Sequence, residues 1–183
     1  MTDTNSNDGS ATCNDAACLY EQTKELTAND GASDDYFGSS VAIYGNNAIV
    51  GAPDKSFGSS SWQGAAYVFS FDGSTWAQQA ELTENSGSPG TLLGWSVAIS
   101  GNTAIVGAEY KAVGSNTDQG AAYVFSLSAS TWAQQGELLG QRGGLVGEFG
   151  GSVAISDSAA IVGASYTNVG SNTKQGTAYI FTN

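Results

Sequence analysis

The 183-residue sequence contains no histidine, two cysteines and only five basic residues. Without histidine the commonest general base of enzymes is missing, and two cysteines provide too few soft ligands for a zinc site. Seventeen acidic residues give a net charge of −12, which repels phosphate backbones and anionic lipid surfaces. No apolar run reaches the length of a membrane-spanning helix. These absences argue against nucleic-acid binding, membrane insertion and acid–base catalysis.

Motifs of catalysis and targeting are also missing. The sequence has no G-x-S-x-G elbow, no phosphate loop and no dinucleotide fingerprint. Residues 1–18 lack the basic and apolar regions of a signal peptide and are predicted to form a flexible segment. Cys13 and Cys18 lie in this segment, and we expect a small disulfide loop in an oxidising compartment, with free thiols as the alternative.

A unit of 56 residues repeats along the rest of the chain. FGSSVAIYGNNAIVGAPD begins at residue 37, LGWSVAISGNTAIVGAEY at 93 and FGGSVAISDSAAIVGASY at 149. The fragment LYEQTKELT, which begins at residue 19, lies 56 positions before TWAQQAELT. Residues 19–183 are therefore predicted to hold three repeats in a shifted frame. Their bounds are 37–92, 93–148 and 149–183, the last being completed by a strand equivalent to 19–27.

Each unit contains four short segments typical of β-strands. In the first repeat these segments are Ser40–Tyr44, Ala48–Ala52, Ala65–Phe71 and Thr75–Leu82. Gly-Asn and Asp-Gly pairs between them are strong hairpin signals. Small residues occupy positions where a half-exposed strand would carry polar ones, so both faces of each sheet are expected to be covered. No segment shows helical periodicity with caps.

The pair Phe37-Gly38 and Gly51-Ala52-Pro53 resembles the FG-GAP repeat, which also occurs in integrin α-subunits. Looser copies follow, with Leu93-Gly94 and Phe149-Gly150 in the place of the first pair. The resemblance implies an all-β fold in which each repeat forms a four-stranded blade of a β-propeller. It also implies an extracellular or cell-surface location. A β-trefoil, which also has three four-stranded units, is the alternative.

Many members of this family carry a calcium loop between the second and third strands. The corresponding loops here, such as PDKSFGSSSWQG, lack alternating carboxylates, and Asp54 or Asp118 alone would hold calcium poorly. We therefore expect no family-type metal site and no cofactor. Asp30, Asp34 and Asp35 form a denser acidic loop that is a weak calcium candidate. The preferred interpretation of that loop is a solvated turn.

Three blades are too few to close a propeller, which typically has four to eight. We expect the fourth-strand segment, including Tyr20, Glu21, Gln22 and Leu26, to complete the last blade of another molecule. Two chains joined head to tail would give a six-bladed ring, and a contact that does not close would give a filament. A piece of a longer propeller is a further alternative.

Residues that recur in every unit are interpreted as structural, because catalytic residues seldom repeat with the scaffold. Features specific to this chain are expected from the non-repeating residues in loops or at loop edges, among them Lys111 and Arg142. Exposed aromatic rings beside amides suit sugar stacking or a protein interface. The recurring residues are Glu25, Glu81, Glu137, Tyr67, Tyr123, Tyr179, Gln63, Gln119, Gln175, Tyr20, Trp76 and Trp132. The ligand-binding candidates are Trp62, Trp95, Tyr110, Tyr166, Asn116 and Asn172.

These observations predict a non-catalytic extracellular interaction or structural module that assembles through open blade edges. Its expected partners are further copies of itself or other surface proteins. A carbohydrate-binding lectin that uses the blade loops is the alternative, motivated by the repeated VGSNT loops. An enzyme is the least favoured class.

Overall fold

The computed structural model describes residues 22–140 and 147–182, which form eleven β-strands and no helix. Cys13, Cys18, Tyr20, Glu21 and Arg142 lie outside the described residues. Over the described part of the chain, no helix is present that could cross a membrane. The strands are β1 (Val41–Tyr44), β2 (Asn47–Ala52), β3 (Ala65–Phe71), β4 (Trp76–Leu82), β5 (Leu93–Ser100), β6 (Thr103–Ala108), β7 (Ala121–Ser128), β8 (Thr131–Leu138), β9 (Phe149–Ser156), β10 (Ala159–Ala164) and β11 (Thr177–Thr182).

Tight turns set the register of each sheet. β1 and β2 are joined by Gly45-Asn46, and Gly45 has the positive φ of 55° that a two-residue hairpin requires. Asp157 adopts φ 45° at the same position of the third repeat, a conformation that aspartate tolerates better than most residues. Asp72 stabilises the β3–β4 turn, because its carboxylate accepts hydrogen bonds from the backbone N–H groups of Ser74 and Thr75.

The strands form three separate antiparallel sheets, one from each repeat. Sheet 1 has the order β1-β2-β3-β4, sheet 2 the order β5-β6-β7-β8, and sheet 3 the order β11-β10-β9. The predicted all-β, propeller-type architecture is confirmed, and the strands predicted for the first repeat agree with β1–β4 to within one residue. The β-trefoil alternative is wrong, because each sheet is built from a single repeat.

The sheets stack face to face in chain order, with sheet 2 in the middle. Between sheets 1 and 2 lies a core that includes Ile49, Val68, Val106 and Phe125. Between sheets 2 and 3 lies a second core that includes Ile105, Phe149 and Val162. The prediction that both faces of every sheet are covered therefore holds for sheet 2. Sheets 1 and 3 each turn one face outward.

Residues 22–28 are not in a strand, although the sequence predicts one over 19–27. The physical reason is that no strand of the described part of the chain lies beside this segment to form a ladder. The segment is nevertheless anchored, because Leu26 and Ala28 pack against a cluster on the outer face of sheet 1 that includes Val50, Tyr67 and Phe69.

Candidate functional site

Two close-packed junctions join the three sheets, and both are formed by equivalent atoms of successive repeats. Any Cβ added to Gly51 would overlap the carbonyl oxygen of Gly94, and one added to Gly107 would overlap that of Gly150. Glycine is therefore required where the GA pair of one repeat meets the FG-type pair of the next. The repeated motif is thus explained by the approach of two backbones between neighbouring sheets.

Hydrogen bonds reinforce each junction. Ser40 Oγ donates to Gly94 O at 2.7 Å, and Ser96 Oγ donates to Gly150 O at the same distance. The backbone N–H of Leu93 donates to Gln63 O at 3.1 Å, and that of Phe149 to Gln119 O at 3.0 Å. The recurring glutamine positions therefore contribute through their backbone carbonyls, in agreement with a structural interpretation.

A buried ion pair lies at the junction of sheets 1 and 2. Lys111 Nζ lies 2.8 Å from Glu84 Oε2, and the hydroxyl of Tyr123 donates to the same oxygen at 2.6 Å. Burial alone would raise the pKa of Glu84, but these hydrogen bonds hold it below its ordinary value. Lys111 is therefore a structural cation that lies in a loop, and its interpretation as a non-repeating residue is wrong, because Lys55 occupies the same position of the first repeat.

The equivalent cluster at the outer face of sheet 1 involves the acidic loop. Lys55 Nζ lies 2.8 Å from Asp30 Oδ2 and 3.6 Å from Asp35 Oδ2, and the ammonium is buried. The hydrogen bond with Lys55 is the main reason that the pKa of Asp30 is lowered. Asp30 and Asp34 are exposed, as in a solvated turn, whereas Asp35 is buried. Asp34 adopts φ 65° within this loop.

Hydrogen bonds within the loops between the second and third strands hold these loops in shape. Calcium requires six to eight oxygen ligands, and the described residues contain no group of three acidic, histidine or cysteine side chains that could hold a metal. In the first loop, Phe57 and Ser60 exchange backbone hydrogen bonds. Asn116 and Asn172 brace the later loops, because their side-chain amides donate to Gln119 and Gln175.

A carboxylate pair at the junction of sheets 2 and 3, Glu109 with Glu148, was not predicted from the sequence. Glu109 is buried, and its Oε2 has no hydrogen-bond partner among the described residues. Burial, followed by the neighbouring Glu148, raises the pKa of Glu109 to about 7. Glu109 occupies the repeat position of Pro53 and Ser165, so no repeated acidic residue signalled the pair.

Exposed aromatic side chains form one groove near the junction of sheets 1 and 2. Tyr36, Ser39, Pro53, Asp54 and Trp95 line a volume of about 510 Å³. Burial, followed by the charge of Asp34, raises the pKa of Asp54. Of the predicted ligand-binding residues, only Trp95 lines this groove, and it lies in β5 rather than in a loop.

The other predicted aromatic residues are exposed but are not gathered into that groove. Tyr110 packs edge-on against Trp95, with ring centroids 5.8 Å apart. Tyr166 lies beneath Lys174 Nζ, which is 4.5 Å from its ring centroid, and Trp62 is a separate exposed residue with φ 54°. Tyr36, which the sequence analysis did not select, is more exposed than Trp95 and completes the groove.

The outer faces of sheets 1 and 3 expose apolar residues whose counterparts are buried in the junctions. Ile43 on β1 is 67% exposed, whereas its equivalent Ile99 on β5 is 6% exposed. Ile180 on β11 is 72% exposed, whereas its equivalent Val68 on β3 is fully buried. Val41 and Ile161 extend these two exposed faces. Apolar patches of this kind mark interaction surfaces in folded proteins.

Comparison with known families gives three matches to the FG-GAP repeat, over residues 20–69, 76–125 and 132–181. The second and third matches begin in the fourth strand of one sheet and end in the third strand of the next. No curated protein sequence matches the chain. The three matches cover most of the sequence and follow the 56-residue spacing. The chain therefore belongs to the FG-GAP repeat family.

Proposed function

We propose that the chain is a non-catalytic extracellular module that assembles, through its two open sheet faces, into a ring or a filament. The observation that carries this proposal is the exposure of Ile180 and Ile43 at positions that the internal junctions bury. FG-GAP repeats are typically extracellular domains and generally non-enzymatic, which supports the class of function. The partner is another FG-GAP sheet, on a second copy of this chain or on another surface protein.

Light scattering over a concentration series tests this proposal. We expect the average mass to rise above the 18.6 kDa of one chain as the protein is concentrated. The exposed apolar faces lose their contact with water on association, and the associated fraction rises with protein concentration by mass action. A mass that stays at 18.6 kDa up to millimolar protein would overturn the proposal.

A lectin is the second candidate, because the Tyr36–Trp95 groove combines two aromatic rings with the carboxylate of Asp54. Flat aromatic rings stack on the apolar faces of sugars, and a carboxylate accepts hydrogen bonds from hydroxyl groups. A glycan array should give hits that Trp95→Ala abolishes and Trp62→Ala retains. An array without hits, or hits that survive Trp95→Ala, would exclude this groove as a sugar site.

A further inference from the structure

Residues 26–29 lie on sheet 1 in the way that residues 82–85 lie on sheet 2. Leu82, at the end of β4, packs into the core between sheets 1 and 2, against the face of sheet 2. Leu26 packs against the cluster on the outer face of sheet 1. The N–H of Asn85 donates to Gln134 Oε1, and that of Asn29 donates to Gln78 Oε1, both at 2.9 Å. Residues 22–26 therefore occupy the fourth-strand position of a sheet whose other strands are absent beside them.

Sheet 3 has the opposite deficiency. In sheets 1 and 2 the third strand pairs with a fourth, in the registers Tyr67–Glu81 and Tyr123–Glu137. Both tyrosine hydroxyls also bond the paired glutamate, at 3.2 and 3.0 Å. In sheet 3 the equivalent strand β11 pairs only with β10 among the described residues. Its outer edge presents unpaired backbone groups that can accept another strand.

The polar atoms of the junctions show the same complementarity. Ser152 is equivalent to Ser40 and Ser96, but no described residue accepts a hydrogen bond from its Oγ. Gly163 and Gly176, unlike their equivalents in sheets 1 and 2, have no backbone of a following sheet packed against them. On sheet 1, no residue of the described ranges lies within 4 Å of a Cβ built on Gly38, whereas its equivalents Gly94 and Gly150 are packed against the preceding sheet.

The apolar residues match as well, because the outer face of sheet 3 carries the residue types that sheet 1 packs onto sheet 2. Ile161 and Ile180 on sheet 3 are equivalent to Ile49 and Val68 on sheet 1. On the outer face of sheet 1, Val41 and Ile43 are equivalent to Val97 and Ile99 on sheet 2. One chain thus presents both halves of the junction that it already forms twice internally. The two halves lie at opposite ends of the stack, so they do not meet each other within the three described sheets.

We infer that the partner is a second copy of this chain, in which residues 22–26 add to β11 as the fourth strand of sheet 3. This inference rests on the proposed function. The internal pairs fix the expected register as Leu26–Ala178, Glu25–Tyr179 and Lys24–Ile180. Ser152 Oγ of the copy that contributes sheet 3 then donates to Gly38 O of the copy that contributes sheet 1. In return, the N–H of Phe37 of the second of these copies donates to Gln175 O of the first. Two copies give six sheets, within the range of closed propellers.

Two variants with one disabled face each test the head-to-tail mode. Ile180→Asp disables the sheet 3 face and Ile43→Asp disables the sheet 1 face, and both positions are exposed in the single chain. Each change would bury an unpaired charge in the junction, so each variant alone should lose at least about a hundredfold in self-association. An equimolar mixture should regain a 1:1 dimer, since one intact face of each kind remains.

The mixed dimer holds one junction, whereas a wild-type ring holds two, so the mixture is measured at concentrations above those at which the wild type dimerises. Trp62→Asp is the matched control, because it also replaces an exposed large apolar residue but lies on neither face, and it should assemble like the wild type. If either variant alone still assembles, or if the mixture stays monomeric, the head-to-tail inference is overturned. A monomeric wild type would instead overturn the proposed function.

A disulfide tests the register. In a Cys13→Ser, Cys18→Ser background, Lys24→Cys and Ile180→Cys are placed on separate chains and oxidised at assembling concentration. We expect a crosslinked dimer from this pair and about tenfold less from Lys24→Cys with Tyr179→Cys, because a shift of one residue puts the two sulfurs on opposite faces of the sheet. Equal yields from the two pairs, or no crosslink from either, would overturn the register.

Discussion

The internal junctions and the two open faces of this protein are built from the same residue types but differ in what covers them. At a junction, Ile99 is buried, Ser96 bonds a neighbouring carbonyl and Gly94 touches the preceding sheet. At the open faces the equivalent positions have none of these contacts. The difference shows that the FG-GAP signature describes a contact between neighbouring sheets.

The largest expected effect contrasts the lysines of the two ion pairs. Lys111→Met should destabilise the monomer by about 3 to 5 kcal/mol, because Glu84, whose side chain is fully buried, is left without its counter-ion. Lys55→Met should cost less, about 1 to 2 kcal/mol, because Asp30 is half exposed and the buried Asp35, 3.6 Å from Nζ, keeps the hydrogen bond from the N–H of Ala32. Urea unfolding of dilute protein measures both, and equal losses would contradict the contrast.

Leucines at equivalent positions give the next contrast. Leu82→Ala should cost about 3 kcal/mol, because it leaves a cavity in the core between sheets 1 and 2. Leu26→Ala removes a half-buried side chain from the open face and should cost about 1 kcal/mol in the monomer. The same urea titration applies, and a larger loss for Leu26→Ala would show that residues 22–28 are as firmly packed as β4.

Glycine substitutions sharpen the comparison further. Gly107→Ala forces a methyl group against the Gly150 backbone and should cost about 2 kcal/mol. Gly163→Ala meets only the Ser152 side chain, which is exposed and can turn away, so the monomer should lose less than about 1 kcal/mol while its self-association falls. A thermal melt and a light-scattering mass of each variant are the measurements. Normal assembly of Gly163→Ala would count against close backbone approach at the open face.

A difference in pH dependence separates the two internal junctions. The pKa of Glu109 is raised to about 7, so the folded state holds a proton that the unfolded state releases above the ordinary glutamate pKa. Stability should therefore fall between about pH 4.5 and 7, by at most about 1.4 kcal/mol per pH unit. Glu109→Gln should flatten this dependence in urea titrations at several pH values. If the slope of the unfolding free energy against pH is unchanged, Glu109 is not the source of the pH dependence.

Repetition explains why so much of the fold could be predicted from the sequence. Three copies of one pattern in register gave the strands, their turns and the family. Lys55 and Lys111 also repeat, but their partners do not, because Asp30 and Glu84 occupy different repeat positions. The ion pairs therefore depend on tertiary contacts that a single sequence does not display. Glu109 was missed for the same reason, since its acidity shift arises from burial beside Glu148.

Exposure was the other quantity that the sequence could not provide. Ile43 and Ile99 lie in nearly identical sequence surroundings, yet one is exposed and the other buried. Only the order of the sheets in the stack separates them. The same limit applies to Trp95, whose strand position and pairing with Tyr36 in one groove follow from the junction geometry.

Hydrogen exchange of the backbone amides at increasing protein concentration tests the central claim most directly. The account predicts that residues 22–26 and β11 gain protection together as the protein assembles, while the amides of β3, already paired on both sides, do not change. Assembly that leaves both segments exchanging as fast as in the monomer would contradict the claim that the open faces complete each other.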